Sequence, residues 1–385
     1  MKRVLACILL LMSVFMLTSC SANDSKTIIL QDAFSITPYI NIIGKKNDIL
    51  NYDDQIYNEL SDALISLDNK YSVNKEDSIV SIINKNAGED YTTVDDETLY
   101  IIGKAIEISN NTNYQNYASK YDITIYPLIE AWGFMDKYFH GDNYYSAPSE
   151  SVAKEKALLV DYNKVIIDGN KIKLQDKGMK IDLGSIVKGY ACDVLSDIMN
   201  DKYSCFSYII NVGGNIYTHG KTLREGRQSD FHIGIQTPFY DELSKDIKSE
   251  EIRDNAYYIG YIIGKEEGIT VVTSGVYERY IKDIDGNMYH HILDKETGMP
   301  VDNDLYSISI IMTDKDSSIL ADAYSTALFG MGSINAINYA NTNNMKIVVV
   351  TKDRKIYLSE MCKDIFVYNQ ILNNCGYTYY IGNNQ

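Results

Sequence analysis

The spacing of apolar residues changes along this chain in a way that sorts it into strands and helices. Two strand-like runs lie between Ile28 and Ile43, the second alternating apolar and polar positions up to Gly44, as a strand with one buried face would. Across 47–71, Ile49, Leu50, Ile56, Leu60, Leu64 and Leu67 recur at helical spacing, and a second helix is predicted from about Glu97 to Ile108. Between them, 77–84 reads as a short helix or turn. Pro127 suits the first turn of a further helix and Gly133 its end. Trp132 and Phe134 beside it could line a flat aromatic slot or pack into a core. A polar loop is expected at 140–149.

Val165 to Ile167, then Ile172, Leu174, Met179 and Ile181, read as strands, whereas Ile186, Tyr190, Ala191 and Leu195 form a helical stripe. Further strands are predicted at 207–212, 215–219, 231–238, 256–263, 269–272, 306–312, 347–350 and 355–358, and helices at 317–329 and 333–341. The charge-dense stretch 241–254 reads as a solvated insertion. Few strands are followed by one clean crossover helix, which favours an α+β fold over a doubly wound sheet.

Charge and termini narrow the function. A formal net charge of −16 argues against a nucleic-acid partner, and any phosphate ligand would need a metal cation or a local basic cluster. Cys192, Cys205, Cys362 and Cys375 lack the CxxC spacing of a zinc site, and export would leave three disulfide pairings open. The N-terminus is basic (Lys2, Arg3), then apolar from Val4 to Leu17, then Leu17-Thr18-Ser19-Cys20. The apolar run is too short to span a bilayer and reads as a secretory signal. Its end resembles the lipobox of bacterial lipoproteins, which implies a signal peptide at 1–19, an acylated Cys20 and a polar tether at 20–27. An ordinary signal with a chance cysteine is the alternative. The lipoprotein reading puts the protein on the outer face of the cell membrane, anchored by lipid.

Candidate chemistry centres on Lys180-Ile-Asp-Leu-Gly-Ser-Ile-Val-Lys-Gly-Tyr-Ala-Cys-Asp193. Gly184 marks a strand-to-helix switch where backbone can approach a ligand and free N–H groups form an anion site. Lys188 lies one turn in, and Asp182 can accept from a ring N–H or ribose hydroxyl. The bland alternative is that the stretch is only a turn. Asp322 and Thr326, four apart, put a carboxylate and a hydroxyl on one helix face, as magnesium would require. Alternatively, Thr326 bonds a carbonyl of the preceding turn and Asp322 answers the helix dipole. His291, shortly before Asp294, could act as a general base or be an orienting or surface histidine. Glu278 and Arg279 could form an ordinary ion pair. No Gly-x-Ser-x-Gly elbow, P-loop or His-Glu-x-x-His is present.

Taken in order, these segments resemble the ApbE-type FAD:protein FMN transferases, from about Phe34 to Val350. The motifs are Tyr121-Asp-Ile-Thr-Ile-Tyr-Pro-Leu with Ala131-Trp-Gly-Phe134, Asp182-Leu-Gly-Ser-Ile-Val-Lys-Gly-Tyr190, Asn211-Val-Gly-Gly-Asn215 and Ile233-Gly-Ile-Gln-Thr-Pro238. Thr273-Ser-Gly-Val-Tyr-Glu-Arg-Tyr280, His291-Ile-Leu-Asp-Lys-Glu-Thr-Gly298 and Ala321-Asp-Ala-Tyr-Ser-Thr-Ala-Leu-Phe329 complete the set. The resemblance implies one large T-fold-related domain at 28–385, made of two α/β lobes with an FAD site between them. It implies that Asp322, Thr326 and the main-chain oxygen of Ser185 hold magnesium, and that Ala131, Trp132, Gly133, Asp182, Lys188 and Ile292 contact FAD. The implied reaction splits FAD and moves FMN onto a threonine hydroxyl of an acceptor flavoprotein, releasing AMP, with His291 helping to deprotonate the acceptor. A pyrophosphatase giving FMN and AMP, or a flavin-carrying lipoprotein without catalysis, are the alternatives. Val276, Asn215 and Lys295 depart from the family's usual aspartate, aspartate and proline.

Overall fold

The computed structural model describes residues 23–115, 117–134 and 145–382. The leader, Cys20 and the first half of the polar loop expected at 140–149 lie outside the described residues. Nine strands form the main sheet, and their order in space repeats their order in the chain: Asn23–Ile29, Tyr39–Lys45, Ser207–Val212, Asn215–His219, Ile269–Gly275, Leu305–Met312, Lys346–Thr351, Lys355–Leu358 and Thr378–Ile381. Neighbours run antiparallel throughout, except the final pair, which is parallel. The helices are therefore insertions between antiparallel neighbours, which makes the architecture α+β within a single domain.

The first strands are covered mainly on one face. Ile40 and Ile42 are buried against the helices Lys46–Tyr71 and Val187–Lys202, while Asn41 between them is partly exposed. The central strands are covered on both faces, so their sequences lose the alternation. In Leu305–Met312, Ile308 and Ile310 meet the helices Ser318–Phe329 and Ser333–Thr342. Ile311 joins the cluster under a small second sheet of His232–Gln236, Tyr258–Ile263 and Phe366–Tyr368.

Two expectations are corrected. The polar stretch expected to be a tether at 20–27 enters the sheet from Asn23, which pairs with Lys45, because strand pairing uses the backbone and tolerates polar side chains at an edge. Met179 and Ile181 are buried but lie outside any strand, and Lys180 makes only an isolated parallel bridge with Ile125. Buried residues of an irregular segment thus imitated a strand in the apolar pattern. The insertion at 241–254 forms two short helices, Tyr240–Asp246 and Glu250–Asn255, the second with no buried residue.

The helix Ser318–Phe329 sits at the centre, with Ala321 and Leu328 toward the sheet and Ile319, Ala323 and Ala327 in the cluster shared with Val187–Lys202. These two helices cap each other. Asp193 Oδ1 accepts the Ser318 N–H at 3.0 Å and Oδ2 accepts that of Ile319 at 2.9 Å, satisfying donors that the first turn leaves free. In return, Asp322 Oδ2 accepts the Gly189 N–H at 2.9 Å near the start of the other helix. The approach is close enough that a Cβ on Gly189 would lie 2.2 Å from the Ser318 carbonyl oxygen and 2.7 Å from Asp322 Cβ.

Helix propensity alone would make Gly189→Ala stabilising by about 1 kcal/mol. The backbone in its path reverses the sign, and a net loss of about 1–3 kcal/mol is expected, read as a lower urea midpoint. An unchanged or higher midpoint would refute the contact.

Candidate active site

The turn into the Val187–Lys202 helix is held from below. The Asp182 N–H donates to the Ile123 carbonyl at 2.8 Å, and the Lys180 ammonium pairs with Glu130 at 2.7 Å. Asp182 Oδ2 then accepts the Gly184 N–H at 3.0 Å. A Cβ on Gly184 would lie 2.9 Å from that same oxygen, which is the local reason for a glycine. Ser185 Oγ donates to the buried Tyr121 hydroxyl at 3.3 Å. Lys188 folds back onto the Gly184 carbonyl, and its ammonium stands 3.7 Å from Asp322 Oδ1. The two distant parts of the chain singled out by sequence therefore meet.

Asp322 is only 4% exposed. Burial raises its pKa, opposed by the Lys188 charge, the Gly189 N–H and the Asn215 amide. Thr326, one turn on, is partly exposed, and its hydroxyl has no hydrogen bond among the described residues. Its neighbour Ser325 behaves as the bland reading expected of Thr326, donating to the Asp322 carbonyl at 2.7 Å. A buried carboxylate and a free hydroxyl on one face, beside the Ser185 turn, fit a hard cation that also takes phosphate oxygens and water. Among the described residues no three His, Cys, Asp or Glu side chains cluster as metal ligands, so a cation here would lean on neutral oxygens and on its ligand's phosphates.

His291 is fixed by backbone. Both its N–H, at 3.2 Å, and its Nδ1, at 3.0 Å, meet the Arg279 carbonyl oxygen. A carbonyl can only accept, so Nδ1 carries the hydrogen and Nε2 keeps its lone pair. Burial, then the Arg279 charge, lower the imidazole pKa to about 3, so the ring is neutral at physiological pH. Asp294, expected beside the imidazole, instead pairs with Lys120 at 3.0 Å and accepts the Glu296 N–H within its own turn. The sequence distance of three residues spans a bend that turns the two side chains to different partners.

Glu278 and Arg279 do not pair, which removes the ordinary ion-pair reading. The Glu278 side chain is open to solvent yet ringed by protein. That surrounding mass raises its carboxyl to about 7, with Lys188 and Arg279 opposing the shift. The aromatic slot is also corrected. Trp132 is 1% exposed, stacks on Phe134 with centroids 5.6 Å apart, and donates its indole N–H to the Gly298 carbonyl at 2.8 Å. The indole is core, so the 131–133 segment can offer a ligand only the partly exposed Ala131 and Gly133, the latter left-handed at φ 72°. Ile292 is buried among Val276 and Leu305, and its carbonyl accepts the Val301 N–H at 2.9 Å.

A model of the ApbE family matches residues 34–350. The chain belongs to this family. It is 30% identical over 316 residues to a FAD:protein FMN transferase of Klebsiella pneumoniae (strain 342), covering 81% of this chain and 87% of that one. A Vibrio cholerae protein of the same name is 26% identical over 294 residues, covering 76% and 78%. Among solved structures, the ApbE protein of Thermotoga maritima superposes with a TM-score of 0.72 at 27% identity, covering 89% of this chain and 99% of that one.

Against the ApbE pattern, the three departures acquire local explanations. Val276 is 2% exposed within an apolar cluster. Asn215 is buried against Asp322, where its amide lowers the carboxyl pKa and a second carboxylate would have repelled it. Lys295 pairs with Asp122 Oδ2 at 3.3 Å and lies 4.8 Å over the Tyr162 ring. Sequence reasoning missed Tyr121, Asn215 and Asp193 as members of this network. A carboxylate four residues after Gly189, on the buried side of its helix, was the available signal for Asp193.

The folded imidazole of His291 binds its proton less tightly than the unfolded chain's, between the ordinary value of 6.5 and about 3. The unfolded state therefore takes up more protons in that window, and stability is lost as pH falls through it. His291→Gln should flatten part of the decline in urea midpoint between neutral and acidic pH. An identical slope in the variant would show that the ring is not held neutral.

Proposed function

We propose that this chain is a flavin transferase that moves FMN from FAD onto a threonine hydroxyl of an acceptor flavoprotein, with magnesium, releasing AMP. The observation that carries the reading is the meeting of the Ser185–Lys188 turn with Asp322 and the free Thr326 hydroxyl. The names of its ApbE relatives support transfer of FMN from FAD to a protein. Asp322, Thr326 and the Ser185 carbonyl would hold the cation, which when bound neutralises charge developing on the phosphates.

The chain's own groups supply the rest. Asp182 has its second carboxylate oxygen available beyond the Gly184 N–H, suited to a donor on the flavin or ribose. Lys188 brings positive charge to a pyrophosphate that the −16 chain would otherwise repel. His291 Nε2 receives the acceptor's hydroxyl proton. Its low pKa makes it a weak base in isolation, and the negative charge of an arriving phosphate raises that value. The threonine oxygen bonds to the flavin-side phosphorus while the bond from that phosphorus to the bridging oxygen breaks, and AMP leaves with the bridging oxygen. We place this chemistry outside the cytoplasm, on a chain tethered through lipid on Cys20. The basic, apolar, Leu-Thr-Ser-Cys leader supports that placement.

Purified protein incubated with FAD, magnesium and a candidate acceptor should leave flavin fluorescence on the acceptor band of a denaturing gel. Free FMN without a labelled acceptor would point to hydrolysis, and unchanged FAD to a carrier. Asp322→Asn keeps an oxygen for the Gly189 N–H but removes the charge, and transfer should fall at least about 100-fold. Full activity in that variant would eliminate the cation assignment.

A further inference from the structure

Arg279 has a fixed place and an unmatched charge. Its carbonyl oxygen holds both N–H groups of His291, so the residue cannot drift from the imidazole. Its guanidinium is partly exposed and, among the described residues, has neither a hydrogen bond nor an ion pair. This is unusual in a chain with 52 carboxylate and 36 basic side chains, where an available partner for arginine is easily found. Carboxylates are indeed near, since the Arg279 charge acts on Asp182 and Glu278 as well as on His291. Lys188 acts on the same three groups and also on Asp322, its neighbour at 3.7 Å. The site therefore has two cations, Lys188 beside Asp322 at 3.7 Å and Arg279 tied through its carbonyl to His291.

We infer that Arg279 binds the flavin-side phosphate of FAD, the one transferred, while Lys188 serves the adenosine-side phosphate. The inference rests on the proposed transfer reaction. The acceptor hydroxyl gives its proton to His291 Nε2, so the phosphorus it attacks lies at the His291 end, and the product retains that phosphate with the flavin. The planar guanidinium fork suits two oxygens of one phosphate. As the new P–O bond forms and the bond to the bridging oxygen breaks, the arginine stays on the non-bridging oxygens, where charge is spread. Arg279 is thus assigned as a catalytic residue that the ion-pair reading of the sequence had set aside.

The test compares wild type, Arg279→Gln and Arg279→Lys in the full chain with magnesium present. FMN and riboflavin binding are read by flavin fluorescence, and AMP binding by calorimetry. Arg279→Gln should weaken FMN about 10- to 100-fold, the value of a charge-assisted hydrogen-bonded contact. It should leave riboflavin, which has no phosphate, and AMP within about twofold, and Arg279→Lys should recover part of the loss. Equal FMN affinity in wild type and Arg279→Gln would overturn the assignment, as would an AMP loss as large as the FMN loss. Because the side chain takes no part in holding His291, the variant should keep the wild-type melting temperature. A wild type that labels an acceptor while Arg279→Gln binds FMN normally defeats this inference alone, whereas a wild type that neither binds nor transfers flavin defeats the underlying reaction.

Discussion

Two helices that begin at each other's flanks hold this molecule's site together. Asp193 accepts the opening N–H groups of the Ser318–Phe329 helix, and Asp322 accepts one near the opening of the Val187–Lys202 helix. Each carboxylate answers a helix dipole and a free donor that would otherwise stay unsatisfied in a buried place. Gly189 lets the axes approach until there is no room for a methyl group. This reciprocal arrangement fixes the distance between Lys188 and Asp322, the charged pair at the centre of the candidate site.

The site then solves a charge problem. A phosphate ligand of a chain this acidic needs positive charge concentrated locally, and the candidate site holds two cations from different parts of the fold. Its carboxylates are held by hydrogen bonds or ion pairs of their own, although Asp322 also stands 3.7 Å from the Lys188 ammonium. Asp182 is curled onto Gly184, Asp322 onto Gly189, and Asp294 is drawn off to Lys120. The imidazole between them is kept neutral by burial and oriented by a carbonyl, so a proton acceptor survives among charges that could have fixed it in the wrong state.

Much of the frame was legible from residue spacing. The long helix beginning near Lys46, the helix bearing Asp322 and the central strands all lie where apolar periodicity put them, because each buries a regular face. The misreadings share one cause. Met179 and Ile181 are buried without being in a strand, Trp132 is sealed by Gly298 and Phe134, and Asn23–Ile29 is a strand despite its polar side chains. In each case the outcome depended on a neighbour outside the segment's own apolar pattern.

The sequence by itself determined the α+β class, most helix and strand positions and the ApbE-like order of motifs, and it singled out Asp182, Lys188, His291 and Asp322 as candidates for chemistry. Those properties follow from local period and residue type. Only the tertiary structure decided that Asp193 and Asp322 exchange helix caps, that Arg279 grips His291 through its backbone while its guanidinium has no partner among the described residues, and that Asp294 serves Lys120. Hydrogen bonds and ion pairs that join separate elements, most of these between residues over a hundred positions apart, leave no trace in spacing, because they depend on how the sheet stacks its insertions and not on the pattern within any one of them.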